Sequence, residues 1–149
     1  MKAALAILIT LAGAVLLLAA PTPKATGGVE YSQPGYFLVF NAFEATSTAP
    51  AKGQVTNQTP TGDFSYQAQV SCAKVDGSDA WFSAIITSST PPGVGPSVFI
   101  KVHDGGEPST NDLVSGQFMD NAAAIAACEA KATPTGGPWP VLSGNLQVH

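Results

Sequence analysis

Phe64-Ser65-Tyr66-Gln67-Ala68-Gln69-Val70-Ser71-Cys72-Ala73-Lys74-Val75, then Asp76-Gly77-Ser78-Asp79, then Ala80-Trp81-Phe82-Ser83-Ala84-Ile85-Ile86 is the stretch that decides the fold class. Phe64, Tyr66, Ala68, Val70 and Cys72 alternate with Ser65, Gln67, Gln69 and Ser71, a period of two that gives a strand one apolar and one polar face. Past Cys72 the apolar positions become Ala73 and Val75, so the parity shifts, and a β-bulge near residues 72–74 accounts for it. Asp76-Gly77-Ser78-Asp79 supplies the positive-φ residue of a tight hairpin turn. Ala80, Phe82, Ala84 and Ile86 then alternate on the returning strand.

Outward from this hairpin, other strands follow. Upstream, Tyr36-Phe37-Leu38-Val39-Phe40 is apolar on both faces, and a short strand is expected near Gln54-Val55-Thr56. Downstream, residues 90–96 (Thr-Pro-Pro-Gly-Val-Gly-Pro) read as a loop, and Val98, Ile100 and Val102 alternate again. A short strand is expected over 112–118, and Leu142, Gly144, Leu146 and Val148 suggest a closing strand. The alanine-rich stretch 120–132 is the one helix candidate, with Asp120 as N-cap and Thr133-Pro134 as its stop. Ile125 and Cys128 are expected to share the face that docks on the sheet. The expected fold is all-β: an antiparallel β-sandwich or a closed β-barrel of six to eight strands, with one α-helix in the C-terminal half.

At the other end, Lys2 precedes an apolar run over 3–20 broken only by Thr10 and Gly13, with small residues and proline after it. That is the layout of a signal peptide, expected at 1–20 with cleavage between Ala20 and Ala25. A buried helix and an uncleaved anchor are the alternatives, the run being at the lower edge of the ~18–20 residues that span a bilayer. No cysteine ends the segment, which excludes a bacterial lipid anchor. Residues 21–35, rich in Pro, Gly and Thr, read as a flexible lead-in, and 36–149 as a single β-rich domain.

Composition narrows the function classes. The chain has six lysines, no arginine and ten acidic residues, a net charge of −4, or −5 once Lys2 is removed. It has no basic patch for phosphate neutralisation, so nucleic acid is not an expected partner, and a membrane enters only through an uncleaved signal. Cys72 and Cys128, the only cysteines, are expected to form one disulfide in an oxidising compartment. Their spacing fits neither a redox motif nor a zinc set.

The central hairpin carries a resemblance. Gln69-Val70-Ser71-Cys72-Ala73-Lys74-Val75-Asp76-Gly77-Ser78-Asp79-Ala80 resembles the Val-x-Cys-x-x-Val-x-Gly-x-x-Ala core of small exported bacterial β-domain proteins of unknown function. Gly62-Asp63-Phe64, Val102-His103-Asp104-Gly105-Gly106-Glu107 and Gly144-Asn145-Leu146-Gln147-Val148 extend it over residues 36–148. Ser83-Ala84 departs from the pattern, where a glycine often stands. The resemblance implies an extracellular β-domain and brings no catalytic residues.

Candidate chemistry is sparse. His103 is the one internal histidine, and Gly95-Pro96-Ser97-Val98-Phe99 fails as a nucleophile elbow. No catalytic residues are assigned. Asp104, Glu107 and Asp112 share a glycine-containing loop and form a candidate calcium site, set against a solvated acidic turn. No other cofactor is expected. Tyr31, Tyr36, Tyr66, Trp81 and Trp139 are candidates for an exposed aromatic ligand platform, with Trp81 and Trp139 as its test residues, against a core role for both. Asn57-Gln58-Thr59 is a formal glycosylation sequon. The expectation is a secreted or cell-surface non-enzymatic binding or structural module, its partner a cell-surface polymer or a secreted protein. The alternative is a small secreted hydrolase, or a hydrolase inhibitor presenting the 90–96 loop.

Overall fold

Alternating β-branched and aromatic residues separated by Gly- and Pro-bearing turns produce a meander, and here the meander closes. The computed structural model describes residues 20–31, 35–108 and 111–149. The signal peptide expected at 1–20 lies outside the described residues except for Ala20.

The strands are β1 (Lys24–Tyr31), β2 (Tyr36–Phe43), β3 (Lys52–Gln58), β4 (Ser65–Asp76), β5 (Asp79–Thr90), β6 (Ser97–His103), β7 (Leu113–Met119) and β8 (Trp139–Val148), with helix α1 (Asn121–Glu129) between the last two. Each strand pairs antiparallel with its sequence neighbours and β1 pairs with β8, giving a closed eight-stranded barrel. Closure removes the exposed edges that a sandwich would keep. Of the two architectures open to the sequence, the barrel is the one formed.

The flexible lead-in expected over 21–35 is corrected: Lys24–Tyr31 is β1, paired on one side with β2 and on the other with β8. Its glycines read as linker composition, yet Gly27 has a packing reason. A Cβ at Gly27 would lie 2.7 Å from the Phe40 ring, so the missing side chain makes room for a core aromatic.

The β4–β5 hairpin forms as expected, turning at Gly77 with φ 59°. Its bulge falls slightly earlier than expected, between Val70 and Cys72. The displaced register sends Cys72 to the outer wall, and Val70 and Ala73 to the buried interior. The β4–β5 ladder shifts once more between Gln67 and Ala68, and an irregularity in β8 sets Glu30 opposite Ser143 and Tyr31 opposite Val141. Val141 therefore points inward, while Leu142 is 61% exposed.

Inside the barrel, Phe40 and Phe82 stack at 5.0 Å and pack with Leu38, Val55, Val102 and Leu146. A second, smaller cluster lies outside the barrel wall, where α1 covers Cys72, Trp81 and Phe99. The helix docks through Ala124 and Cys128, four residues apart. Ile125, expected on that face, is 37% exposed, and the fully buried Ala124 pairs with Cys128 there instead. Asp120 occupies the N-cap position without a side-chain capping bond. The helix stops at Glu129, short of Thr133-Pro134. Lys131 adopts φ 51°, while its N–H bonds Cys128 O and the Ala132 N–H bonds Ala127 O, a Schellman ending. Cys72 and Cys128 form the expected disulfide, fastening α1 to β4.

Candidate functional site

Strand direction decides which aromatics meet. Tyr31 ends β1, Tyr36 opens β2, Asn57 is near the end of β3, Tyr66 near the start of β4, and Trp139 opens β8. An up-and-down meander brings these positions to one end of the barrel. They surround a cavity of about 270 Å³, completed chiefly by Phe64, Phe118 and the inner faces of β6 and β7.

The collar is a connected set of rings. Tyr31 stacks on Tyr36 at 5.8 Å and meets Trp139 at 5.7 Å. Phe64 packs edge-on against Tyr36, Tyr66 and Phe118 at 5.5, 6.1 and 6.3 Å, and Tyr66 meets Phe118 edge-on at 5.6 Å. Offset and edge-to-face geometries of this kind add to the stabilisation from burial.

A buried carboxamide sits among them, and Ser115 and Gln117 add polar groups to the lining. Asn57 is buried, and its Nδ2 donates to the Tyr31 hydroxyl at 2.8 Å and toward the Tyr66 hydroxyl at 3.4 Å. Its Oδ1 is buried with no hydrogen-bond partner. Burial pushes the Tyr31 phenol up to about 12, against the opposing effect of its Asn57 hydrogen bond and with a small addition from Tyr36. Burial likewise raises Tyr66, with Tyr31 adding and Asn57 opposing. Both phenols stay neutral at physiological pH. No Asp, Glu, Lys or His lines the cavity among the described residues.

The wall beside the cavity is thin on one side. The β7–β8 ladder holds two residue pairs, Leu113 with Pro140 and Val114 with Trp139. Beyond them the connection from α1 takes the place of β8, with the Gly116 N–H bonding Gly136 O at 3.0 Å. The Thr135 N–H and hydroxyl both donate to Gln117 Oε1.

The structure thus brings together four of the five platform candidates, Tyr31, Tyr36, Tyr66 and Trp139, as the lining of an inward cavity. Trp81 is elsewhere. It is 7% exposed beneath α1, with Lys101 and Lys131 over its ring at 5.1 and 5.7 Å, so its role as an exposed platform is corrected to one in the outer cluster. Little in the sequence marks Asn57, which stands in a sequon just past the short strand expected near Gln54-Val55-Thr56. Only its inward register in β3, opposite Tyr66 and Leu38, reveals it.

The other candidates are held in structural roles. Asp104 Oδ1 accepts from Gly106 N–H and Oδ2 from Val148 N–H, which ties the loop to β8. Asp112 is 1% exposed, and its Oδ1 accepts from Gly105 N–H at 2.8 Å while Oδ2 has no partner. Burial raises its carboxyl above the ordinary range, the Gly105 bond opposes this, Asp104 adds to it and His103 lowers it. Glu107 is exposed. Among the described residues no three His, Cys, Asp or Glu side chains gather as a metal set. His103 Nδ1 meets Asp79 Oδ1 at 3.0 Å, and the same oxygen is 3.5 Å from Lys101 Nζ. This pair lies at the end of the barrel opposite the aromatic collar.

Among the described residues, no helix is long and apolar enough to cross a membrane. The disulfide is compatible with an extracellular location. Comparisons with protein-family models, curated proteins and solved structures each return no significant match, so the reading of this chain rests on its own residues.

Proposed function

We propose that this chain is an exported, non-enzymatic binding protein that takes a small, uncharged, largely apolar ligand into the aromatic end of its barrel. The carrying observation is the cavity of about 270 Å³ lined by Tyr31, Tyr36, Phe64, Tyr66, Phe118 and Trp139 around Asn57. A concave, mostly apolar site with few convergent polar groups is the usual form of a small-molecule site. An eight-stranded barrel is wide enough either to be filled by its own side chains or to hold one small ligand. Here Phe40 and Phe82 fill one part of the interior, and the other part is left to the collar.

Size supports a compact ligand, since the volume is just below the ~300–1,000 Å³ of drug-sized sites. The uncharged lining disfavours ionic ligands, whose unpaired burial is costly. Catalysis has less support. The His103 ring is paired with Asp79, away from the cavity, and the general base of a hydrolase needs a nucleophile within hydrogen-bond reach.

Titration with naphthalene derivatives tests this reading. Saturable quenching of Trp139 fluorescence and a rise in melting temperature are expected, the rise being lost in Trp139→Ala combined with Phe64→Ala. No binding up to the solubility limit of any neutral aromatic probe overturns it. Export is checked separately: the intact mass of chain recovered from the medium is expected to lack the residues before a cleavage point between Ala20 and Ala25.

A further inference from the structure

Asn57 sets a hydrogen-bonding problem that the protein does not solve by itself. The Nδ2 group contacts both phenol oxygens, and Oδ1 is left buried without a donor. Exchanging the amide's oxygen and nitrogen moves the problem without removing it. The two hydroxyls would then donate to the oxygen, and the NH₂ group would lack an acceptor. In either arrangement one side of a buried carboxamide is unpaired, in an aromatic cavity that has room beside it. An unsatisfied buried polar group costs about 1–3 kcal/mol, which a ligand recovers by pairing with it.

Resting on the binding role proposed above, we infer that the ligand is a neutral planar ring compound bearing a hydroxyl, and that this hydroxyl donates to Asn57 Oδ1. Planarity follows from the collar. Tyr31 and Tyr36 are nearly parallel, at 22°, while Phe64, Tyr66 and Phe118 meet edge-on, so a further ring can extend either pattern. Neutrality follows from the lining, which has no cation to meet a carboxylate and no anion to meet an amine among the described residues. The donor character follows from the amide as it stands, in which Oδ1 is the acceptor with no donor, and the methyl ether is the probe that would pair with an exchanged amide.

The experiment uses four probes on one scaffold: naphthalene, naphthol, methoxynaphthalene and naphthoate, all substituted at the same ring position. Dissociation constants are measured by calorimetry on the disulfide-bonded chain. Naphthol is expected to bind about tenfold more tightly than naphthalene, as one recovered hydrogen bond implies. Methoxynaphthalene, which accepts but cannot donate, is expected to bind no better than naphthalene, and naphthoate to bind worst. In Asn57→Val the ratio of naphthol to naphthalene affinity should fall to about one. Equal affinity for naphthol and its methyl ether, or a preference that survives Asn57→Val, overturns the inference while leaving the binding role standing. Failure of all four probes overturns the binding role itself. The naphthol-to-ether ratio in the unsubstituted chain decides the matter without any variant, should Asn57→Val fail to fold.

Discussion

Small residues and buried polar groups govern the behaviour of single positions. Gly27 faces Phe40 so closely that Gly27→Val must displace the ring or the strand. We expect a loss of about 1–3 kcal/mol, the usual cost of overpacking, read as a lower urea midpoint with unchanged slope. Asp112 gives a pH signature. Its folded-state carboxyl is raised by burial, so between the ordinary carboxylate range and that raised value the folded chain holds a proton that the unfolded chain has released. Stability contributed by Asp112 therefore falls as pH rises through this interval. Asp112→Asn cannot ionise, and its melting temperature relative to the parent should climb as pH rises through the same interval. A constant difference would contradict this. At this scale the sequence was only partly informative. The Tyr and Trp residues of the cavity were visible as aromatics, but the register that turns them inward depends on pairing across the barrel. The unpaired state of Asn57 depends on two tyrosines, one 26 residues before it and one nine after.

Elements were more legible where alternation was strict and less so where glycine or a bulge interrupted it. The β4–β5 hairpin follows from period two and its Gly77 turn. β1 does not, because Thr26, Gly27 and Gly28 have linker composition, and only the strands on either side make them a strand. The helix was visible from its alanines, but its docking face was not. Ile125 is the most apolar choice by composition, whereas the geometry of helix against sheet selects Ala124. The disulfide fastens that helix to β4 across 56 residues of chain. Cys72→Ala with Cys128→Ala should cost about 4 kcal/mol by chain entropy, with a measured range of about 2–5. Because the bond lies on the outer wall, naphthol affinity is expected to be unchanged under conditions where the variant is folded. A coupled loss of affinity would show that the outer cluster holds the cavity in shape.

At the scale of the whole molecule, the barrel has two unlike ends and two unlike sides. One end holds the aromatic collar. The other carries Asp79, Lys101 and His103 in a half-buried charge cluster, whose partly solvated pairs stabilise little. The choice between sandwich and barrel was beyond reach of the strand pattern, because alternation reports that a face is buried and not what covers it. Closure is decided by whether the first strand finds the last, and the first strand was the one disguised by its glycines. The strand ladders also differ in strength. β4 and β5 pair along nearly their full lengths, whereas β7 and β8 share two residue pairs. Native-state hydrogen exchange should follow this order, with protection lowest in β7 and β8 and highest in β4 and β5. Uniform protection around the barrel would contradict it.

That short β7–β8 ladder also bears on time. A ligand held in this partly open cavity leaves faster when the wall beside it gives way, and the wall gives way most readily where two strands barely hold each other. Residence time should then respond to substitution of Thr135, which bonds Gln117 across the gap from outside the cavity lining, far more than equilibrium affinity does. The barrel's dwell time would then be tunable at Thr135, a residue outside the lining of the cavity.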